Sequence, residues 1–157
     1  MQWAEVLADR SLKDLPYKIE LDKWGNVVMS PASNRHGRLQ GVLFAMLEKL
    51  PGGRALIECS VASYEGVKVA DVAWCSDAFF DRHGYETPYP RAPEICVEVR
   101  SPANSEEELH FKTRLYLGAG AREVWIVLET GEARFFGAEG ERAQSEYGLD
   151  PRPLLNH

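Results

Sequence analysis

Two short, almost wholly apolar segments constrain the fold of this chain more than any other feature of its sequence. Residues 94–99 read Glu-Ile-Cys-Val-Glu-Val, and residues 124–128 read Val-Trp-Ile-Val-Leu. Segments of this length that are apolar on both faces are typical of strands buried inside a sheet. Residues 105–117 between them have the pattern of a helix, with Asn104 or Ser105 as a candidate N-cap. Strand, helix and strand in this order predict a sheet covered by helices.

The rest of the chain fits the same architecture. A stripe of leucine, valine and methionine predicts a long helix from about residue 35 to residue 50. We predict one domain over residues 1–157 with an α/β (α+β) fold, in which helices flank a central mixed sheet. The loop with prolines 88, 90 and 93 is expected at the surface, as is an irregular tail from residue 139. Further strands are predicted at residues 17–21, 27–29, 55–61, 67–74 and 133–136.

Composition and charge argue against a membrane protein, a disulfide-bonded protein and a thiolate zinc protein. The longest apolar runs are too short to span a bilayer, and the first residues do not resemble a secretory signal, so a cytoplasmic protein without membrane contact is expected. Three cysteines without CxxC spacing favour reduced core residues over a disulfide or a thiolate zinc site. The formal net charge of −6 opposes nucleic-acid binding at long range.

Two carboxylates in otherwise apolar strands are the sharpest chemical signal. Glu98 interrupts the apolar segment 94–99, and Asp71 lies among small and apolar residues of segment 67–74. A buried carboxylate needs a partner, a proton or a cation. If the two strands pair, both carboxylates converge into a hard-oxygen site suited to Mg²⁺, and Lys112 on the following helix is placed to act beside them. Alternatively, Glu98 reaches solvent at a strand end, Asp71 is a turn or edge residue, and Lys112 pairs with Glu108 one helical turn earlier.

Several segments in fixed order resemble the Uma-type branch of the PD-(D/E)XK nuclease superfamily, whose members are restriction-endonuclease-like. The resemblance spans roughly residues 17 to 128. It rests on Ala70-Asp71-Val72-Ala73, on Ala92 through Pro102, and on Lys112 in the helix before Gly118-Ala119-Gly120-Ala121-Arg122-Glu123-Val124-Trp125-Ile126-Val127. At the front of the chain, Glu20-Leu21-Asp22, Val27-Val28-Met29-Ser30-Pro31 and His36 also match.

The resemblance implies a restriction-endonuclease-like core and a role for each matching residue. Asp71 and Glu98 take the places of the metal-binding acids, and the peptide carbonyl of Val99 would add a ligand. Arg100 stands where the motif expects lysine. Because arginine does not deprotonate in proteins, it supplies charge but cannot act as a base. The lysine of this branch resembles one moved onto the next helix, at Lys112.

His36 and Glu20 match accessory positions of the branch. Each also has an ordinary structural interpretation, as a residue packed at a helix start and as a solvent-facing strand residue. Taken together, the residues predict an endonuclease that hydrolyses DNA with Mg²⁺ or Mn²⁺. The alternatives are an inactive binding or oligomerisation module with the same fold and a hydrolase of another phosphate ester. A homodimer is plausible because nucleases of this class often act as pairs.

Overall fold

The order of strands and helices follows the hydrophobic pattern closely. The computed structural model describes residues 1–13, 15 and 17–156. Its α-helices are α1 (Trp3–Ala8), α2 (Asn34–Glu48), α3 (Asp77–His83) and α4 (Glu106–Gly118). Its strands are β1 (Tyr17–Leu21), β2 (Val27–Pro31), β3 (Gly53–Ser63), β4 (Gly66–Ser76), β5 (Ile95–Arg100), β6 (Glu123–Leu128), β7 (Ala133–Gly137) and β8 (Gly140–Arg142). Within these residues, no helix is both long enough and apolar enough to cross a membrane.

Strands β3 to β8 form one six-stranded sheet in the order in which they occur along the chain. The apolar strands β5 and β6 pair in parallel at its centre, joined by α4, and the other neighbouring strands pair antiparallel. Strands β1 and β2 form a separate antiparallel hairpin. The mixed sheet flanked by helices confirms the predicted fold class.

Helices α2 and α4 cover opposite faces of the sheet. Helix α2 begins after the N-cap Ser33, whose hydroxyl accepts a hydrogen bond from the His36 N–H. Its Leu39, Leu43 and Leu47 are fully buried in a core with one face of the sheet. Burying each such side chain contributes roughly 1.5–3 kcal/mol, which makes this helix a rigid support for the residues on its first turns. Leu109 and Tyr116 of α4 belong to a second core on the other face.

Strands β4 and β5 separate near the middle of the sheet. Their ladder runs from Trp74 opposite Ile95 to Val72 opposite Val97 and goes no further. Beyond it, the side chain of Asp71 fills the gap and accepts a hydrogen bond from the Val99 N–H, 2.7 Å from Asp71 Oδ2. The separation opens the sheet where the two predicted metal-binding acids lie.

Two expectations about surface segments were correct only in part, because most residues of each segment are exposed or half-buried but a few are buried. The proline loop lies partly inside, because Tyr89 exchanges backbone hydrogen bonds with β3 at Ser60 and Ala62, and Tyr89 and Pro93 are buried. The tail after residue 139 forms β8, and its Leu155 is fully buried in the core beneath α2. In both segments, isolated side chains are buried between packed elements. An isolated buried residue produces no periodic pattern in the sequence, so its burial could not be predicted.

Candidate active site

Asp71 lies on β4 with its side chain almost fully buried. Its Oδ2 is held by the Val99 N–H, while Oδ1 lies 3.3 Å from Lys18 Nζ and 3.4 Å from His36 Nε2. The Gln40 side chain donates a 2.9 Å hydrogen bond to the Asp71 backbone carbonyl. Strand β5 and helix α2 therefore fix both the backbone and the carboxylate of Asp71.

Glu98 is the most enclosed acid of the site, with no exposed surface. Its Oε1 accepts hydrogen bonds from Lys112 Nζ at 3.0 Å and from the Tyr116 hydroxyl at 2.9 Å. Its Oε2 accepts one from Lys18 Nζ at 2.8 Å. Burial alone would raise the pKa of Glu98, but the ammonium groups of Lys112 and Lys18 outweigh burial and hold this pKa well below its ordinary value. Glu98 is therefore an ionised carboxylate inside the protein, so the strand-end alternative in solvent is wrong.

Lys112 connects Glu98 to a third acid, Glu20. Its ammonium lies 2.6 Å from Glu20 Oε2, and the same oxygen accepts a 2.7 Å hydrogen bond from the Val69 N–H. Glu108, the alternative helical partner, instead accepts a hydrogen bond from the Asn104 side chain. The surface pairing of Lys112 and the solvent-facing position of Glu20 are therefore both wrong: each side chain is buried in the site.

Lys18 is a site residue that the sequence did not predict, as are Gln40 and Tyr116. It lies on β1 two positions before Glu20, and its ammonium contacts both Asp71 Oδ1 and Glu98 Oε2. Side chains two residues apart lie on the same face of a strand. Once Glu20 is considered a site residue, the alternation along β1 places Lys18 beside it, so the signal was present in the sequence.

His36 and Arg100 lie at the rim. Contact with Asp71 raises the pKa of His36, even though burial opposes the charged form. The buried Nδ1 of His36 has no hydrogen-bond partner in the part of the chain that the structure describes. Burial acts to lower the pKa of Arg100, but the nearby carboxylates, first of all Glu98, raise it overall. The Nε of Arg100 also lacks a partner among the described residues. These groups add donors and positive charge to the edge of an acidic centre.

An open cleft of about 640 Å³ leads from the surface to this centre. Its wall combines acidic, basic and amide groups from α2, β1, β4 and β5 with the apolar edge of the hairpin. Glu98 itself does not line the cleft, whose charged and amide side chains include Lys18, His36, Gln40, Asp71 and Arg100.

The donor set for a metal ion is small. The described ranges contain no group of three or more His, Cys, Asp or Glu side chains arranged to hold one. However, Asp71 Oδ1 and Glu98 Oε2 both face the point where Lys18 Nζ lies, 3.3 Å and 2.8 Å away. A cationic group thus already occupies the place between the two acids, and carboxylate oxygen is the donor that Mg²⁺ prefers. The residues fit a divalent cation with two side-chain ligands.

Comparison with known proteins agrees with this architecture. A crystal structure described as a "putative nuclease belonging to DUF820" from Anabaena variabilis superposes with a TM-score of 0.73 at 15% sequence identity. The match covers 99% of this chain and 97% of that one, which shows a shared fold. A search of curated proteins gives no match. The model of the Uma2 family, described as "Putative restriction endonuclease", matches residues 10–155, so the chain belongs to that family, as the sequence motifs predicted.

Proposed function

We propose that this protein is a divalent-metal-dependent endonuclease that hydrolyses phosphodiester bonds of DNA. Membership of the Uma2 family supports a nuclease. The observation that carries the proposal is the convergence of Asp71 and Glu98 on one point at the end of an open cleft, with Lys112 bound to Glu98 from behind. Acids of two separated strands and a buried lysine provide the groups that metal-assisted phosphodiester hydrolysis needs.

Asp71 and Glu98 would hold the metal through Oδ1 and Oε2. The Val99 carbonyl would be the third protein ligand, since the N–H and C=O of one strand residue face the same side and its N–H binds Asp71. When bound, Mg²⁺ lowers the pKa of a coordinated water and offsets negative charge on the phosphate. The Val99 N–H and Gln40 keep Asp71 in position for this role.

Lys112 orients Glu98 and adds positive charge to the site. An ammonium has three N–H donors, and Lys112 directs two of them to Glu20 and Glu98. The third donor is suited to a water molecule, since Lys112 lies behind Glu98 and does not line the cleft. Because Glu20 is itself fixed by the Val69 N–H, the ammonium is anchored on two sides. This anchoring is the preorganisation that charge stabilisation in a transition state requires.

Arg100 is suited to bind the phosphate group. It lines the cleft two residues after Glu98, and its guanidinium remains charged at any working pH. A planar guanidinium binds two phosphate oxygens at once, whereas it cannot take up a proton as a base. Arg100 therefore serves binding, and Lys112 remains the lysine of the active centre.

The proposal is tested by incubating the purified protein with plasmid DNA and either Mg²⁺ or Mn²⁺. The wild type should nick or cut the DNA, and Asp71→Asn and Glu98→Gln should lose at least about 10²-fold in rate, as expected when a metal ligand is removed. Glu123→Gln is the matched control, because Glu123 is also fully buried and hydrogen-bonded but lies elsewhere, beside Trp125. Cutting that survives Asp71→Asn or Glu98→Gln would refute the proposal.

Substrate class is tested in parallel on RNA and on a small aryl phosphodiester. Rapid cleavage of the small ester with none of DNA would favour a hydrolase of another phosphate ester. Absence of all three activities in a folded protein would favour the inactive binding module.

A further inference from the structure

Lys18 stands between the two proposed metal-binding acids. Its ammonium lies 3.3 Å from Asp71 Oδ1 and 2.8 Å from Glu98 Oε2, and its side chain is only 13% exposed. The strand that carries it is fixed two residues later, where Glu20 accepts hydrogen bonds from Lys112 and Val69. Lys18 is therefore held in this place by the fold of the hairpin.

The approach to Glu98 passes Lys18. Glu98 has no exposed surface, whereas Lys18 and Asp71 line the cleft. The Oε1 atom of Glu98 is taken by Lys112 and Tyr116, which leaves Oε2, the atom bound by Lys18, as the one that faces the cleft side. A cation that enters from solvent and binds both acids thus reaches the position of the Lys18 ammonium.

Charge and space do not allow both cations to share that position. A divalent ion binds carboxylate oxygen at about 2.0–2.6 Å, so it needs the same faces of Asp71 and Glu98 that Lys18 uses. Two positive groups in contact also repel strongly in a partly buried site. We infer that Lys18 is a resident counter-ion of the metal-free site, which a divalent cation must displace, so that Lys18 sets the metal affinity of this protein.

This inference rests on the proposed metal site and adds a residue to it. While the ammonium is in place, it bridges Asp71 and Glu98 and holds both carboxylates in position without metal. After a divalent cation has displaced it, the Lys18 ammonium remains beside the cleft, because Lys18 belongs to β1 and Glu20 fixes that strand. Lys18 is in this sense a positioning residue for the acids and a determinant of cation affinity.

The test is calorimetric titration of the full chain with MnCl₂, comparing wild type with Lys18→Met, an unbranched side chain without charge. Lys18→Met should bind Mn²⁺ about tenfold or more tightly, because the competing ammonium is gone. Lys18→Arg should bind no more tightly than wild type. Lys68→Met is the control for general loss of positive charge, since Lys68 is also buried beside the hairpin but donates to the Leu21 carbonyl.

Thermal unfolding provides a second readout for Lys18→Met, in case loss of the counter-ion weakens the fold. Mn²⁺ should raise the melting temperature of Lys18→Met more than that of wild type, because a tighter ligand stabilises the folded state more. The inference would be overturned if Lys18→Met bound Mn²⁺ no more tightly than wild type, or if Lys68→Met showed the same increase in Mn²⁺ affinity as Lys18→Met. If wild type still cuts DNA through Asp71 in that case, the proposed function stands. Conversely, tighter Mn²⁺ binding without any cleavage supports the inference and argues against the function.

Discussion

The Lys112 ammonium contacts Glu20 Oε2 at 2.6 Å and thereby ties helix α4 to strand β1 across 92 positions of the sequence. The same ammonium contacts Glu98 Oε1 at 3.0 Å, so one side chain bridges two buried acids from different parts of the fold. The proposed active site therefore also connects distant parts of the fold.

Lys112→Met should destabilise the protein by about 3–5 kcal/mol, because it leaves two buried carboxylates without their shared counter-ion. Urea denaturation at neutral pH measures the loss. The double variant Lys112→Met with Glu20→Gln should recover part of it, since one of the orphaned charges is removed. A loss under 1 kcal/mol for Lys112→Met would mean that the buried pair contributes little.

Tyr116→Phe removes a single hydroxyl that donates to Glu98 Oε1. A hydrogen bond to a charged group contributes about 1.5–3 kcal/mol, and we expect a loss of this size in the free energy of unfolding. Tyr64→Phe is the matched control, because the Tyr64 side chain is largely exposed, and it should change stability by less than about 0.5 kcal/mol.

Acid should weaken the metal-free protein partly through Glu98. The lysines hold its folded pKa below the ordinary value of 4.5, so its stabilising effect is complete above that pH and is lost as the pH falls toward the folded pKa. Unfolding free energies measured in EDTA between pH 7 and pH 3 should fall less steeply for Glu98→Gln than for wild type. Parallel curves for the two proteins would contradict this assignment.

Gly66→Ala should disturb the support of the β1–β2 hairpin. Gly66 has a φ of +95°, and an added Cβ would lie 2.2 Å from the Leu21 carbonyl oxygen, which cannot move without shifting the hairpin. Gly52 has a similar φ of +86° but open space around it, so Gly52→Ala isolates the conformational cost alone. We expect Gly66→Ala to cost more than Gly52→Ala by at least about 1 kcal/mol in chemical denaturation.

The three cysteines should be inert to thiol reagents in the folded protein. Burial raises the pKa of Cys59 to about 12 and that of Cys75 to about 11, and it raises that of the fully buried Cys96 as well. Because the thiolate is the reactive form, Ellman's reagent at pH 8 should titrate no thiol without denaturant and all three in urea. Rapid reaction of even one thiol in the native protein would contradict their burial.

The fold and the central acids could be predicted because each depends on a local pattern. The spacing of apolar residues and the positions of turn residues define the strands and helices, and a carboxylate within an apolar segment, such as Glu98, is conspicuous in the sequence itself. Lys18 could be recognised only indirectly, once Glu20 is assigned to the site, because by itself a lysine on a strand with alternating polar residues resembles a solvent-facing side chain. Its position depends on how the hairpin docks against β4, which is a tertiary relationship. The burial of Leu155 escaped prediction for the same reason.

The C-terminal tail reaches further into the molecule than its place in the sequence indicates. Arg35, in the first turn of α2, donates hydrogen bonds to the backbone carbonyls of Glu129 and Leu155. The same turn carries His36, and Gln40 follows one turn later, both in contact with Asp71. The residues around Leu155 therefore help to hold the helix that positions Asp71, a proposed metal ligand. Truncation or tagging near Leu155 would shift this helix and alter the cleft. Protein purified for enzyme assays should therefore keep these residues intact.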